Sequence, residues 1–269
     1  MTARAKGLAR HINRAPEIVK CALHTPDWLP VSLCYVGLGQ KRFPLKARFR
    51  GTPSFEFRDL ADLATWWQVF YRDVYPVEKD DRLIIDAGAN IGVFTLYALE
   101  RSRWAKVIAI EPFPETFSRL RTVIEQSSFQ DRVQLVNAAL SSHRGWVSMQ
   151  TGEVGSQFRR VLDDASSQPG TRVPSCTLAE ILDGVEREID FLKMDIEGSE
   201  YATILTCPVE ILRRIRRVAM EFHPLYTPDS PQPQDLIRHF QSAGFSATAL
   251  HDHGEGYGIA YFQRKQECT

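Results

Sequence analysis

The chain has 269 residues, of which 43% are hydrophobic and 25% charged, with Lys+Arg and Asp+Glu equal at 33 each. That composition belongs to a globular protein able to bury a sizeable core and excludes a disordered chain, while the balanced charge gives no global field to recruit nucleic acid. The five cysteines, at 21, 34, 176, 207 and 268, are far apart and form no Cys-x-x-Cys, so neither a zinc site nor a disulfide framework is expected, and the thiols read as reduced and cytoplasmic.

Arg4, Lys6, Arg10 and Arg14 make a basic start, but Pro16, Glu17 and Lys20 interrupt the only apolar candidate, so no leader and no transmembrane segment is expected. Leu8, Ile12, Ile18, Val19 and Leu23 have helical spacing broken at Pro16. Residues 31–57, rich in aromatic and β-branched side chains with Gly37, Gly39 and Gly51 as turns, predict two or three strands. Over 58–75 the recurrence of Leu60, Leu63, Ala64, Trp67, Phe70 and Tyr71 predicts a helix capped by Asp59, whose aromatic face either packs as core or lines a substrate pocket. Residues 1–80 are expected to form an N-terminal extension packed on a core of 81–269.

The core opens on a strand, a tight turn and a helix: apolar 83–85, then Asp86-Ala-Gly-Ala-Asn-Ile-Gly92, then a helix from Val93. Gly88 and Gly92 let the backbone approach a ligand closely. The spacing is not the Gly-x-Gly-x-x-Gly of a dinucleotide site, and a carboxylate at Asp86 would repel a pyrophosphate. It suits a cation such as the sulfonium and ammonium of S-adenosylmethionine; the alternative is that Asp86 caps the next helix. A second buried strand at 105–110 ends in Glu111-Pro112, where a carboxylate can accept both hydroxyls of a ribose bound at the first turn. A helix over 114–124 and a third strand at 133–136 follow, and Asn137 either meets an adenine edge or makes a turn.

Two extended pieces, 145–150 and 171–176, flank a polar loop at 151–170, a candidate lid within an insertion spanning 142–176. Thr177 caps a short helix, and a fourth strand at 189–194 ends in Asp195, Glu197 and Glu200, with Gly198 easing the turn. Asp195 is the first candidate for the cofactor's ammonium or the acceptor hydroxyl, with Glu197 beside it; Glu200 reads as a cap of a helix over 201–215, and Lys193 as the partner of one of these acids. Arg213, Arg214, Arg216 and Arg217 read as a solvated basic patch ending that helix. A fifth strand, 218–223, puts Glu221 and His223 on one face, His223 as a candidate base; Asp195, Glu221 and His223 are an alternative set of metal ligands, although no metal is expected. A helix over 232–243 and a closing antiparallel pair, 245–251 and 258–263, complete the chain, with His251 and His253 as turn residues.

Asp86-Ala-Gly-Ala-Asn-Ile-Gly92, Glu111-Pro-Phe-Pro114, Asn137-Ala-Ala-Leu140 and Ile189-Asp-Phe-Leu-Lys-Met-Asp-Ile-Glu-Gly-Ser-Glu200, in that order, resemble the FkbM family of S-adenosylmethionine-dependent methyltransferases over roughly 60–225. The resemblance implies methylation of hydroxyls on sugars or polyketide-type natural products. It implies that Asp86, Gly88, Glu111 and Asn137 face the cofactor, and with them the rest of the same turns: Ala89, Asn90, Gly92, Pro112 and Ala138. The expected fold is a Rossmann-like α/β three-layer sandwich with a mainly parallel seven-stranded sheet and a C-terminal antiparallel hairpin. The expected catalytic set is His223, Asp195, Glu197 and Glu221. The acceptor is then a small-molecule or glycan hydroxyl, no nucleic acid is a partner, and a homodimer stays open. Alternatives are N-methylation, an NAD-dependent oxidoreductase, and a cofactor-binding module without transfer.

Overall fold

The computed structural model describes residues 14–38, 43–150, 161–162, 170–223, 230–254 and 257–265. Its centre is a seven-stranded sheet built from β3 (Leu83–Ala87), β4 (Lys106–Ile110), β5 (Val133–Val136), β10 (Ile189–Met194), β11 (Ile215–Phe222), β12 (Phe245–Gly254) and β13 (Tyr257–Arg264). The spatial order is β12-β13-β11-β10-β3-β4-β5. β5 through β11 pair in parallel, while β13 runs antiparallel to both β11 and β12. β3 and β10 lie side by side at the centre, and their mainly apolar sequences, interrupted by Asp86 in β3 and by Asp190 and Lys193 in β10, follow from burial on both faces.

The helices α4 (Val93–Arg101), α5 (Pro114–Glu125) and α9 (Pro233–Ser242) cover this sheet, and a separate small sheet joins β6 (Ala139–Leu140), β7 (Gly145–Gln150), β8 (Val161–Leu162) and β9 (Gly170–Cys176). The short helix α6 (Leu178–Ile181) starts in a capping box between Thr177 and Glu180. Apart from β8 and Gly170, the lid expected over 151–170 lies outside the described residues.

Ahead of the sheet come α1 (Ala15–His24), α2 (Trp28–Tyr35), the hairpin of β1 (Leu45–Ala47) and β2 (Phe55–Phe57), and α3 (Leu60–Arg72), capped by Asp59 accepting from the Asp62 N–H. Trp66 and Trp67 are wholly buried, Tyr35 stacks on Trp67 at 4.3 Å, and Phe49 stacks on Phe70 at 4.5 Å. The aromatic face of α3 is therefore core, and its apolar cluster runs on into Phe94 of α4 and into Phe191 and Ala219 of the main sheet.

Several sequence readings are corrected, among them His251 and His253, which lie within β12 and not in a turn. Pro16 begins α1 instead of breaking it, because a first-turn proline lacks only an N–H that has no helical partner. Residues 31–35 are helical, since Pro30 sits in the first turn of α2 and the apolar run is buried as a helix face. The helix expected over 201–215 is two short ones, α7 (Glu200–Leu205) and α8 (Val209–Leu212), separated at Pro208, and β11 begins three residues earlier than the pattern suggested.

Of the four arginines after α8 only Arg213 is exposed, so they do not form the expected solvated patch. Arg214 donates to the Leu182 and Val185 carbonyls, and Arg216 and Arg217 converge on the fully buried Asp81, with Arg217 reaching both carboxylate oxygens at 2.6 Å. Replacing Arg217 with leucine strands the Asp81 carboxylate and should cost about 3 to 5 kcal/mol of stability in urea denaturation. A loss below about 1 kcal/mol would mean that Arg216 alone satisfies Asp81.

Candidate active site

The carboxyl ends of β3, β4, β10 and β11 meet at one edge of the sheet, where ligands of open parallel sheets are held. The turn after β3 passes through three residues with positive φ: Gly88 (77°), Asn90 (48°) and Gly92 (87°). Asparagine tolerates this conformation, but at Gly88 a Cβ would lie 1.7 Å from the backbone oxygen of Asp195. The turns after β3 and β10 thus touch backbone to backbone, and the Asp195 N–H donates to the Ala87 carbonyl at 3.1 Å. The N–H groups of Gly88 and Ala89 both reach the Ile110 carbonyl, at 3.0 and 2.9 Å, locking the turn to the end of β4.

Asp86, expected at the mouth of this turn, lies wholly buried beneath it. Its Oδ2 accepts from Thr95 Oγ1 at 2.6 Å and its Oδ1 is 3.3 Å from Lys193 Nζ. The Lys193 ammonium is itself buried, donates to the carbonyls of Ala87 (3.2 Å) and Gly88 (2.6 Å), and lies 4.0 Å from Asp195. Burial pulls its pKa down, but Asp86 and Asp195 more than offset this and hold it above its ordinary value.

Glu111 is also buried. Its Oε2 accepts from the Asn90 N–H at 2.9 Å and its Oε1 from the Phe113 N–H at 3.1 Å, which leaves each oxygen an acceptor site for a ligand hydroxyl. Burial pushes its pKa up to about 7 against the pull of those two donors. Asn137 spends its amide on the Glu111 and Pro112 carbonyls, at 2.8 and 3.0 Å, so it fixes the loop after β4. Ala138, next along, is buried at its side.

Across the crevice, Glu200 is wholly buried and does more than cap a helix. Its Oε1 accepts from the Ile196 N–H (3.1 Å) and faces His223 Nδ1 at 2.9 Å, while Oε2 accepts from the Gly198 N–H at 2.9 Å. The other imidazole nitrogen, Nε2, is 3.5 Å from Glu197, a residue held at φ 54° by the same turn. Burial disfavours the imidazolium, but Glu200, Asp195 and Glu197 together raise the His223 pKa to about 10. Burial and Asp195 push Glu197 up to about 8. Glu221 is raised to about 7, first by burial and then by Asp195, and accepts from the hydroxyls of Tyr75 (3.1 Å) and Tyr257.

The alternative metal set is regrouped by this geometry. Ligand atoms of Asp195, Glu197 and His223 lie within 4.8 Å of one another, whereas Glu221 is engaged by the two tyrosines. Tyr75, Tyr257 and the Glu200–His223 pair escaped the sequence reading. Tyr75 follows α3, far from any motif, and 23 residues separate Glu200 from His223, so only the sheet topology joins them.

Glu197, Glu221 and His223 all bind protons more tightly in the folded chain than unfolded, so stability should fall as pH rises. The His223 contribution is complete below its ordinary value of 6.5 and lost toward about 10, and the glutamates lose theirs from 4.5 upward. A melting temperature falling from about pH 6 to about pH 9 is expected, and one that rises over that interval contradicts it.

Residues 86–247, more than half of the chain, match the family model described as the methyltransferase FkbM domain. The chain is 26% identical over 196 residues to the methyltransferase sdnD of Sordaria araneosa, covering 61% of this chain and 74% of that one. It is 25% identical over 199 residues to the AMB antimetabolite synthetase AmbE of Pseudomonas aeruginosa, covering 58% of this chain but 9% of that much longer protein. Among solved structures, TrmK of M. capricolum with S-adenosyl-homocysteine aligns over 72% of this chain and 67% of its own, at 11% identity and TM-score 0.43.

Proposed function

The chain belongs to the FkbM methyltransferase family, and from that premise we propose that it transfers a methyl group to a hydroxyl of a small molecule, a sugar or a natural product. The observation that carries the reading is the contact of the Gly88 turn with Asp195, which sets the cofactor side of the crevice directly against the Glu200–His223–Glu197 cluster. The residues present fit S-adenosylmethionine: acids crowd the crevice where a sulfonium and an ammonium need neutralising, and the two open acceptor sites of Glu111 suit a ribose diol.

In this reading Glu111 orients the ribose, Asn137 and Ala138 flank the base, and the backbone of Gly88, Ala89, Asn90, Gly92 and Pro112 shapes the floor. Asp195 takes the ammonium. Asp86 acts one step back, holding Lys193 against the turn. S-adenosylmethionine supplies an activated methyl on a leaving group that needs no protonation, so the chain's own tasks are alignment and removal of the acceptor proton. Glu197 and His223 receive that proton as a pair, aided by the incoming positive charge, which lowers both pKa values. Glu221, between Tyr75 and Tyr257, faces the acceptor.

Calorimetric titration with S-adenosylhomocysteine tests the cofactor half. Micromolar binding is expected, weakened roughly 10- to 100-fold by Glu111→Gln, which removes a charged hydrogen-bond acceptor. Absence of binding overturns the site. Activity on hydroxyl acceptors that survives a chelator is the expected result for the transfer half. Loss on chelation would give Asp195, Glu197 and His223 to a metal instead, and transfer only to amines would replace the hydroxyl reading.

A further inference from the structure

The even charge of the whole chain averages two unlike parts: residues 1–50 hold ten Lys/Arg against only Glu17 and Asp27, and residues 51–269 hold 23 against 31. One of those two acids, Glu17, is taken up by Trp67 and Arg72. The same segment carries half of the large apolar side chains exposed among the described residues: Val19, Leu23, Leu29, Leu33 and Leu38, with Leu23 68% and Leu38 67% exposed. Val19 and Leu23 are one turn apart on α1, and Leu29 and Leu33 one turn apart on α2. The inward faces are accounted for by Cys21, Val31 and Cys34, which are buried, so the aliphatic stripes are the outward side of the α1–α2 layer.

Basic side chains border those stripes. The Arg50 N–H donates to the His24 carbonyl at 2.8 Å and His24 stacks on Phe49 at 5.2 Å, which brings the stretch carrying the exposed Arg48 and Arg50 to the end of α1, where Leu23 is also exposed. Leu38 folds back on α2 through its N–H to the Leu33 carbonyl, and Lys20 lies between Val19 and Cys21 on α1.

We infer that this outward face of α1 and α2 docks on an anionic lipid surface, the aliphatic side chains entering the headgroup boundary and the Lys and Arg side chains remaining at the phosphates. Aliphatic stripes rimmed by long cationic side chains are the chemistry of interfacial helices. Nucleic acid would be bound by the charge alone, without need of exposed leucines. Among the described residues of the segment, Arg14, Lys20, Lys46, Arg48 and Arg50 outnumber Glu17 and Asp27 and supply the attraction, each Lys or Arg near such a surface adding roughly fivefold to partitioning. No helix among the described residues is long and apolar enough to cross a membrane; the attachment inferred for α1 and α2 is interfacial.

Sedimentation of the full chain with vesicles tests this, comparing pure phosphatidylcholine with mixtures containing about one third phosphatidylserine. Binding to the anionic vesicles alone, weakened by salt, is expected. The double variants Leu23→Gln/Leu33→Gln and Arg48→Gln/Arg50→Gln should each weaken it roughly tenfold or more, while S-adenosylhomocysteine titration stays unchanged and certifies that they fold. No sedimentation with anionic vesicles overturns the inference. So does sedimentation that the leucine pair leaves untouched. A dimer in ultracentrifugation that Leu23→Gln/Leu33→Gln converts to monomer, without vesicle binding, assigns the face to a second copy of the chain instead.

Discussion

Replacing Gly88 with alanine should destabilise the chain by about 2 to 5 kcal/mol and abolish S-adenosylhomocysteine binding. Two costs combine. The residue sits at φ 77°, where an L side chain is strained by about 1 to 2 kcal/mol. The added methyl would also overlap the Asp195 backbone oxygen at 1.7 Å. A backbone oxygen at the end of a central strand cannot swing aside as a side chain can, so β3 and β10 must part at the floor of the crevice. Gly184→Ala separates the two costs: its φ is 70°, but nothing lies within 4 Å of the new methyl. Urea denaturation should therefore show only the backbone part for Gly184→Ala, with binding intact. Equal losses for the two variants, with ligand still bound by Gly88→Ala, would show that the two turns do not need their contact.

His223→Asn should lower kcat roughly 10²- to 10⁴-fold while leaving S-adenosylhomocysteine affinity nearly unchanged, the signature of a lost proton-transfer partner. Glu200→Gln gives the more discriminating result. The amide can still accept an N–H from the turn, but the lost charge no longer raises the pKa of either His223 or Glu197, so the rising limb of the kcat/KM profile should move to lower pH. In the unaltered protein that limb is expected to rise through about 8, where Glu197 gives up its proton. A profile that is flat from about pH 6 to about pH 10 in both proteins would remove the pair from proton transfer and leave Glu200 a purely structural tether.

The central strands and the Asp86–Gly92 turn were legible in the sequence because strands buried on both faces are mainly apolar and tight turns need glycine. Ile189–Met194 and Val133–Val136 were read to the residue. The N-terminal helices were less so: residues 31–35 look like a strand, and only the position of Pro30 in a first turn tells otherwise. The acids of the crevice announced themselves as a cluster, but their relations did not. That Asp86 sits beneath its turn, that Glu200 holds His223, and that Tyr75 and Tyr257 close on Glu221 all depend on contacts between strands far apart in the chain. The arginines at 216 and 217 misled for the same reason, since their partner Asp81 lies 135 residues upstream of the first of them.

The burial of Trp66 and Trp67 in α3 gives the protein an optical label at a chosen place. Trp104 and Trp146 are more than half exposed, and the fifth tryptophan, Trp28, packs in the same helical layer, so a red shift of the intrinsic fluorescence on denaturation reports chiefly on the layer around α3. Circular dichroism of the backbone follows the whole sheet at the same time. If the two signals change together, the helical layer and the sheet melt as one cooperative unit, as their shared apolar cluster implies. If the tryptophan signal moves first, the layer carrying α1 to α3 opens ahead of the sheet.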